Sequence, residues 1–186
     1  MLLVSESITL DGVFEAPARI AGETFDLAGW AEAYQSDEQN EYLSSGISSG
    51  GALLLGRVTY EHMRIGWESQ GGPVAEFMNN ATKYVVSNHL KEATWKNSYL
   101  ISGNVPDELR RLKSDSPALA VLGSGALART LREHDLIDEY SLLLFPLVLG
   151  KGKRFFDGGT KTPLKLLEAK PFSSGVTLMR YAPDHA

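Results

Sequence analysis

Two short apolar runs each break into glycine and then into a stretch with helical patterning, and this pair of junctions restricts the fold more than any other feature. Ala52-Leu53-Leu54-Leu55 leads into Gly56-Arg57-Val58-Thr59-Tyr60-Glu61. Ala118-Leu119-Ala120-Val121-Leu122 meets Gly123-Ser124-Gly125 just before Ala126-Leu127-Ala128-Arg129-Thr130-Leu131, whose leucines recur at helical spacing. At a strand-to-helix junction the free N–H groups and the positive end of the helix dipole favour an anion, and glycine lets a phosphate approach the backbone. Either cluster alone reads equally well as an ordinary tight turn. Two in one small chain point to a ligand with more than one phosphate.

The remaining segments give the same alternation. Leu2–Leu10 is apolar and β-branched and stops at the turn signal Asp11-Gly12, so it is expected to be a strand. From Trp30 to about Ile47, apolar positions alternate with Glu32, Asp37, Glu38 and Glu41 as in a helix with one acidic face, closed by Ser48–Gly51. Strand Ala52–Leu55, a helix from about Val58 to Arg64, a Gly71-Gly72-Pro73 loop and strand Lys83–Ser87 follow. Tyr99–Ile101 reads as a short strand. Pro106, Asp107 and Glu108 start a helix whose far end carries Arg110, Arg111 and Lys113, in accord with the macrodipole. A helix from the Gly123 junction to about His134 precedes strand Tyr140–Phe145, closed by Pro146. Leu164–Ala169 and Val176–Tyr181 flank Phe172-Ser173-Ser174-Gly175 as a hairpin would. Parallel units followed by a hairpin predict an α/β chain with a mixed sheet and helices on its faces.

Composition narrows the function classes. The 186 residues, 43% apolar and 22% charged, suit one ordinary globular domain spanning the chain. A net charge of −5 argues against a nucleic-acid surface, which needs clustered cations. The chain has no cysteine, which removes disulfides and thiolate chemistry, and its four histidines show no metal-ligand spacing. Without a basic leader or an apolar stretch near the ~20 residues that span a bilayer, a cytoplasmic protein away from membranes is expected.

Several segments, in this order and spacing, resemble the dihydrofolate reductase-like superfamily, and more closely its branch typified by the reductase of riboflavin biosynthesis. They are Thr9–Gly12, Leu54–Glu61, Lys83–Ser87, Val121–Gly125, Leu136–Tyr140 and Pro146–Gly150. The resemblance implies a three-layer fold, a mixed central sheet with helices on both faces and a C-terminal antiparallel hairpin. It also implies NADPH as cofactor. Arg57 would contact the 2′-phosphate and Thr59 the pyrophosphate beside Gly56. Val86 and Ser87 would lie near the adenosine, and Gly123, Ser124, Gly125, Ala126 and Leu127 along the pyrophosphate and nicotinamide ribose.

Chemistry agrees for Arg57, since a guanidinium is permanently charged and forks onto phosphate oxygens. The alternative for Arg57 is a salt bridge to Glu61, and for Ser87 a strand-ending turn. Ser124 lacks the glycine spacing of a hydrolase nucleophile elbow. By resemblance Asp11 lies in the loop over the nicotinamide, where it touches carboxamide or substrate or is a plain turn residue. Among the acids of the first helix, Asp37 is the choice for a carboxylate against the substrate ring, the other fate being a solvated face. The basic run Lys151-Gly152-Lys153-Arg154 either meets a substrate phosphate through Lys151 and Arg154 or caps an exposed hairpin. Trp30 flanks the expected cleft.

These features predict an NADPH-dependent reductase acting on a C=N or C=O bond of a small heterocycle, similar to 5-amino-6-(5-phosphoribosylamino)uracil reductase. The alternatives are dihydrofolate reduction and a non-catalytic NADP(H)-binding module. A homodimer formed around the late strands, through Leu142–Phe145 and Leu147–Leu149, is also expected.

Overall fold

The computed structural model describes residues 1–48, 51–116, 118–158 and 161–184. Eight strands form one sheet: β1 (Leu2–Thr9), β2 (Ala52–Gly56), β3 (Lys83–Val86), β4 (Ser98–Ile101), β5 (Leu119–Leu122), β6 (Glu139–Phe145), β7 (Leu164–Pro171) and β8 (Thr177–Pro183). Their spatial order is β4-β3-β2-β5-β1-β6-β8-β7, parallel from β4 to β6, with β8 antiparallel to β6 and β7 antiparallel to β8. Among the described residues five α-helices connect them: α1 (Asp37–Ser48), α2 (Arg57–Trp67), α3 (Pro73–Asn80), α4 (Val105–Asp115) and α5 (Gly125–Glu133).

Register assigns the faces. Leu2, Val4 and Ile8 of β1, with Leu54 and Val121, pack on Leu109 of α4 and Leu127 and Leu131 of α5. On the opposite face Leu53, Leu55 and Val85 pack on Tyr60 of α2 and Met78 of α3. Farther along that face, Leu143 and Phe145 pack on Trp30, Tyr34 and Tyr42. Because helices cover both faces, the central strand β2 is an unbroken apolar run. Lys83 of β3 is one of the polar side chains buried in the strands. It is fully buried, and its ammonium donates to the carbonyls of Ala81 (2.8 Å), Lys96 (3.0 Å) and Asn79 (3.4 Å) beneath the Trp95 ring.

Three expectations change. The acidic helix from Trp30 divides into a 3-10 turn at Glu32–Tyr34, an extended Gln35 and α1 from Asp37, because Trp30 is drawn into the core against Phe145. Its expected Ser48–Gly51 end includes positions 49 and 50, outside the described residues. Gly71-Gly72-Pro73 is a helix start as well as a turn: Gly72 has φ +100° and Pro73 opens α3, where its missing N–H costs nothing. Of the two apolar runs expected at a dimer surface, the first is internal, since β6 lies between β1 and β8 with Leu142, Leu143 and Phe145 buried, while in the second Val148 is exposed. No helix of the described residues is long and apolar enough to cross a membrane.

Candidate functional site

β2 and β5 are adjacent parallel strands whose following helices leave on opposite faces, α2 to one side and α5 to the other. Such a reversal opens a crevice at the carboxyl ends of the strands, the usual ligand position in open α/β sheets. The two helix starts that border it differ from the rest. Like α3 and α4, they have no side-chain cap, but neither α2 nor α5 has an acid in its first turn, whereas α1, α3 and α4 begin with Asp37 and Glu38, Glu76, and Asp107 and Glu108. Arg57 at the first position of α2 opposes the helix dipole. An anion beside it would reverse that penalty.

A hydroxyl bridge ties the two junctions together. Ser124, left-handed at φ +69°, donates from Oγ to Thr59 Oγ1 at 2.7 Å and accepts the Gly56 N–H at 2.8 Å. With its own hydroxyl proton unused in that bond, Thr59 can still donate to a ligand. The bridge also explains Gly56, where a Cβ would lie 3.1 Å from Ser124 Oγ, and Gly123, where one would lie 3.2 Å from Thr59 Cγ2 at φ +65°. Gly125 answers to a different neighbour. A Cβ there would meet Phe14 Cζ at 2.5 Å, so this glycine seats the loop after β1 onto the start of α5. Ala126 is exposed, and the Leu127 side chain is core, leaving only its backbone for a ligand.

Glu6 lies buried beside the Gly123 junction. It is 8% exposed on the face that carries Leu2, Val4 and Ile8, with Oε1 accepting the Ser7 N–H at 3.0 Å and Oε2 without a hydrogen-bond partner. Burial pushes its carboxyl up to about 8, against a smaller opposing effect of the Ser7 N–H. Sequence reasoning passed over it, although a glutamate at an inward position of an alternating apolar strand is the signal that marks it.

The other expected residues are more tied down. Arg57 pairs with Glu61 at 2.8 Å, both side chains about two-fifths exposed. Asp11 is a loop organiser. It accepts from the Thr9 hydroxyl (2.6 Å) and from the Gly150 and Leu149 N–H groups, and these bonds, the Thr9 hydroxyl foremost, hold its carboxyl down at about 2. That arrangement leaves Asp11 little capacity for substrate. Each cation of the 151–154 run also has an acid: Lys151 with Asp26 (2.5 Å), Lys153 with Glu15, and Arg154 with Asp11 (3.5 Å). The run clasps the 11–26 loop through these ion pairs, as the cap of an exposed hairpin would.

Trp30 is buried and donates from Nε1 to the Glu15 carbonyl at 2.7 Å, so it is a core residue rather than a substrate platform. Asp37 is exposed at the start of α1, while Gln39 is the residue of that turn that is buried. Ser87 caps its own turn, accepting the His89 and Leu90 N–H groups, and Val86 packs against the core. A groove of about 360 Å³ lies away from the crevice, where Tyr84, Tyr99 and Ile101 face Arg111 of α4.

A family model described as the RibD C-terminal domain matches residues 1–178. The chain belongs to the RibD C-terminal domain family. This member is 31% identical over 108 residues to the uncharacterized protein YyaP of Bacillus subtilis strain 168, a match that spans 57% of each chain. In three dimensions it is similar to a putative riboflavin biosynthesis protein from Shewanella sp. PV-4, with a TM-score of 0.77, 19% identity and 99% of both chains covered. It is also similar to a diaminohydroxyphosphoribosylaminopyrimidine deaminase/5-amino-6-(5-phosphoribosylamino)uracil reductase from Thermotoga maritima, with a TM-score of 0.65 and 18% identity over 99% of this chain and 56% of that one. At these identities the likeness is one of fold. The RibD C-terminal sheet, with its helices and closing hairpin, is dihydrofolate reductase-like.

Proposed function

We propose that this member of the RibD C-terminal domain family is an NADPH-dependent reductase that transfers hydride to a C=N or C=O bond of a small heterocycle. The observation that carries the reading is the pair of uncapped, acid-free helix starts meeting at the β2/β5 crevice, with Arg57 at one of them. That donor set suits a dinucleotide carrying an extra phosphate. Arg57 would take the 2′-phosphate; Thr59 and the first-turn N–H groups of α2 and α5 would take the pyrophosphate, with Gly123 and Ser124 along it. NADPH, when bound, supplies the hydride.

The Arg57–Glu61 pair does not oppose this. An exposed i,i+4 ion pair is worth ~0.3–0.5 kcal/mol, whereas a charged hydrogen bond to phosphate is worth ~1.5–3 kcal/mol, so phosphate wins the guanidinium. The protein's part in the chemistry is then to hold donor and acceptor in register and exclude water. The substrate we propose is the heterocycle itself.

Thermal unfolding with NADPH, with NADH and without ligand, for wild type and Arg57→Ala, tests the cofactor. Saturation at 100 times Kd adds ~2.7 kcal/mol of stability. A rise with NADPH, smaller with NADH and weakened tenfold to a hundredfold in concentration dependence by Arg57→Ala, is expected. No rise with either nucleotide would refute the reading. NADPH oxidation across a heterocycle panel that includes dihydrofolate then identifies the substrate, and tight binding without turnover reduces the protein to a nucleotide-binding module.

A further inference from the structure

The hydroxyl bridge between the two junctions runs in one direction. The Gly56 N–H at the end of β2 donates to Ser124 Oγ (2.8 Å), which donates in turn to Thr59 Oγ1 (2.7 Å). Thr59 accepts in this relay and keeps its own proton free. A threonine inside a helix often gives that proton to the carbonyl four residues back, as Thr130 of α5 does to Ala126 at 3.2 Å. Thr59 makes no such bond among the described residues. Its hydroxyl, half-buried in the first turn of α2, is turned toward the start of α5 instead. The Ser124 hydroxyl is already committed, since its proton goes to Thr59 and the Gly56 N–H occupies a lone pair. Ser124 also holds a left-handed backbone, φ +69°, where glycine would sit more easily, so the hydroxyl is what the position requires.

We propose that Ser124 is a positioning residue for the cofactor: its hydroxyl aims the free Thr59 proton at a pyrophosphate oxygen of the dinucleotide and does not itself touch the ligand. The inference rests on the NADPH reading above. Successive hydrogen bonds polarise one another, so the Gly56 N–H at the head of the relay strengthens the donor at its end. A donor held in its bound orientation also loses little freedom when the phosphate arrives.

The test is a double-variant cycle on NADPH affinity, measured by titration calorimetry. Thr59→Val removes the terminal donor and is expected to weaken NADPH about tenfold to a hundredfold, as for a hydrogen bond to a charged group. Ser124→Gly removes the hydroxyl without straining the left-handed backbone, and a loss of about twofold to tenfold is expected. In the Thr59→Val background it should cost nothing further, because the proton it aimed is gone. Adenosine 2′-monophosphate, which has no pyrophosphate, should bind Ser124→Gly as it binds wild type and should bind Arg57→Ala weakly. Unfolding curves check that the variants fold, and Ser124→Ala carries the cycle if Ser124→Gly does not. Losses that multiply in the double variant, or a Ser124→Gly variant that binds NADPH as wild type does, overturn the role of Ser124 and leave the cofactor site intact. A Ser124→Gly variant that loses adenosine 2′-monophosphate as much as NADPH has only a loosened junction, which also overturns it. Wild type that binds no NADPH overturns the cofactor reading, and the role of Ser124 with it.

Discussion

Replacing Gly125 by alanine should strain the contact between α5 and the loop after β1, and the structure gives the size of the effect. The new methyl would lie 2.5 Å from Phe14 Cζ and 3.0 and 3.2 Å from Cε1 and Cε2, against ~3.5–4.0 Å for carbon atoms in contact. The ring has to retreat by about 1 Å. It has little freedom to do so, because it packs edge-on against Phe155 at 5.9 Å and against the core beneath α5. Overpacking of this kind costs ~1–3 kcal/mol, while alanine in place of glycine returns up to ~1 kcal/mol of helix propensity. The expected net loss is ~1–2 kcal/mol, a fall in Tm of ~2–8 °C for a chain of this length. Phe14→Leu removes the three ring atoms nearest the new methyl, so in that background Gly125→Ala should be neutral or stabilising. Urea denaturation of wild type, both single variants and the double variant measures the coupling directly. Additivity within ~0.5 kcal/mol would show that the two residues do not compete for space, and would refute the packing argument.

Two titrations give predictions of opposite sign. Because Glu6 moves from 4.5 to about 8, the folded chain keeps a proton between those values that the unfolded chain has released. Stability therefore falls by up to ~1.4 kcal/mol per unit as pH rises through that window, and Glu6→Gln gains on wild type more at pH 8 than at pH 5 in chemical denaturation. Asp11 is depressed from 3.8 to about 2, so its contribution is present above 3.8 and is lost as pH falls toward 2. Asp11→Asn should lose that acid limb in melting curves between pH 2 and 5. It should also raise amide exchange at Leu149 and Gly150, whose N–H groups the carboxylate accepts.

Much of the architecture is written in local patterns. The apolar runs at 53–55, 119–122 and 140–145 bury on folding because each is flanked by turn or helix-start signals and is too short for anything but a strand. The hairpin at 164–183 has the turn chemistry it needs. What misled was ambiguity at single residues. Gly72-Pro73 serves a loop and a helix start equally well, and Trp30 fits an amphipathic helix as readily as a core. The basic run stayed ambiguous in the sequence for a related reason: its partners, Asp11, Glu15 and Asp26, lie more than 120 residues away along the chain.

The chain by itself determined the class of fold, the two glycine junctions and the absence of thiol chemistry, since these depend on residue type and near-neighbour spacing. Tertiary structure decided which of those residues meet. Only the adjacency of β2 and β5 brings Ser124 within hydrogen-bonding reach of Thr59 and the Gly56 N–H, 65 and 68 residues apart in sequence. Only the pairing of β1 beside β5 places Glu6 under Gly123. Strand order is a long-range choice, made by the burial of whole faces rather than by any local signal, and the crevice exists because that choice sends α2 and α5 to opposite sides of the sheet.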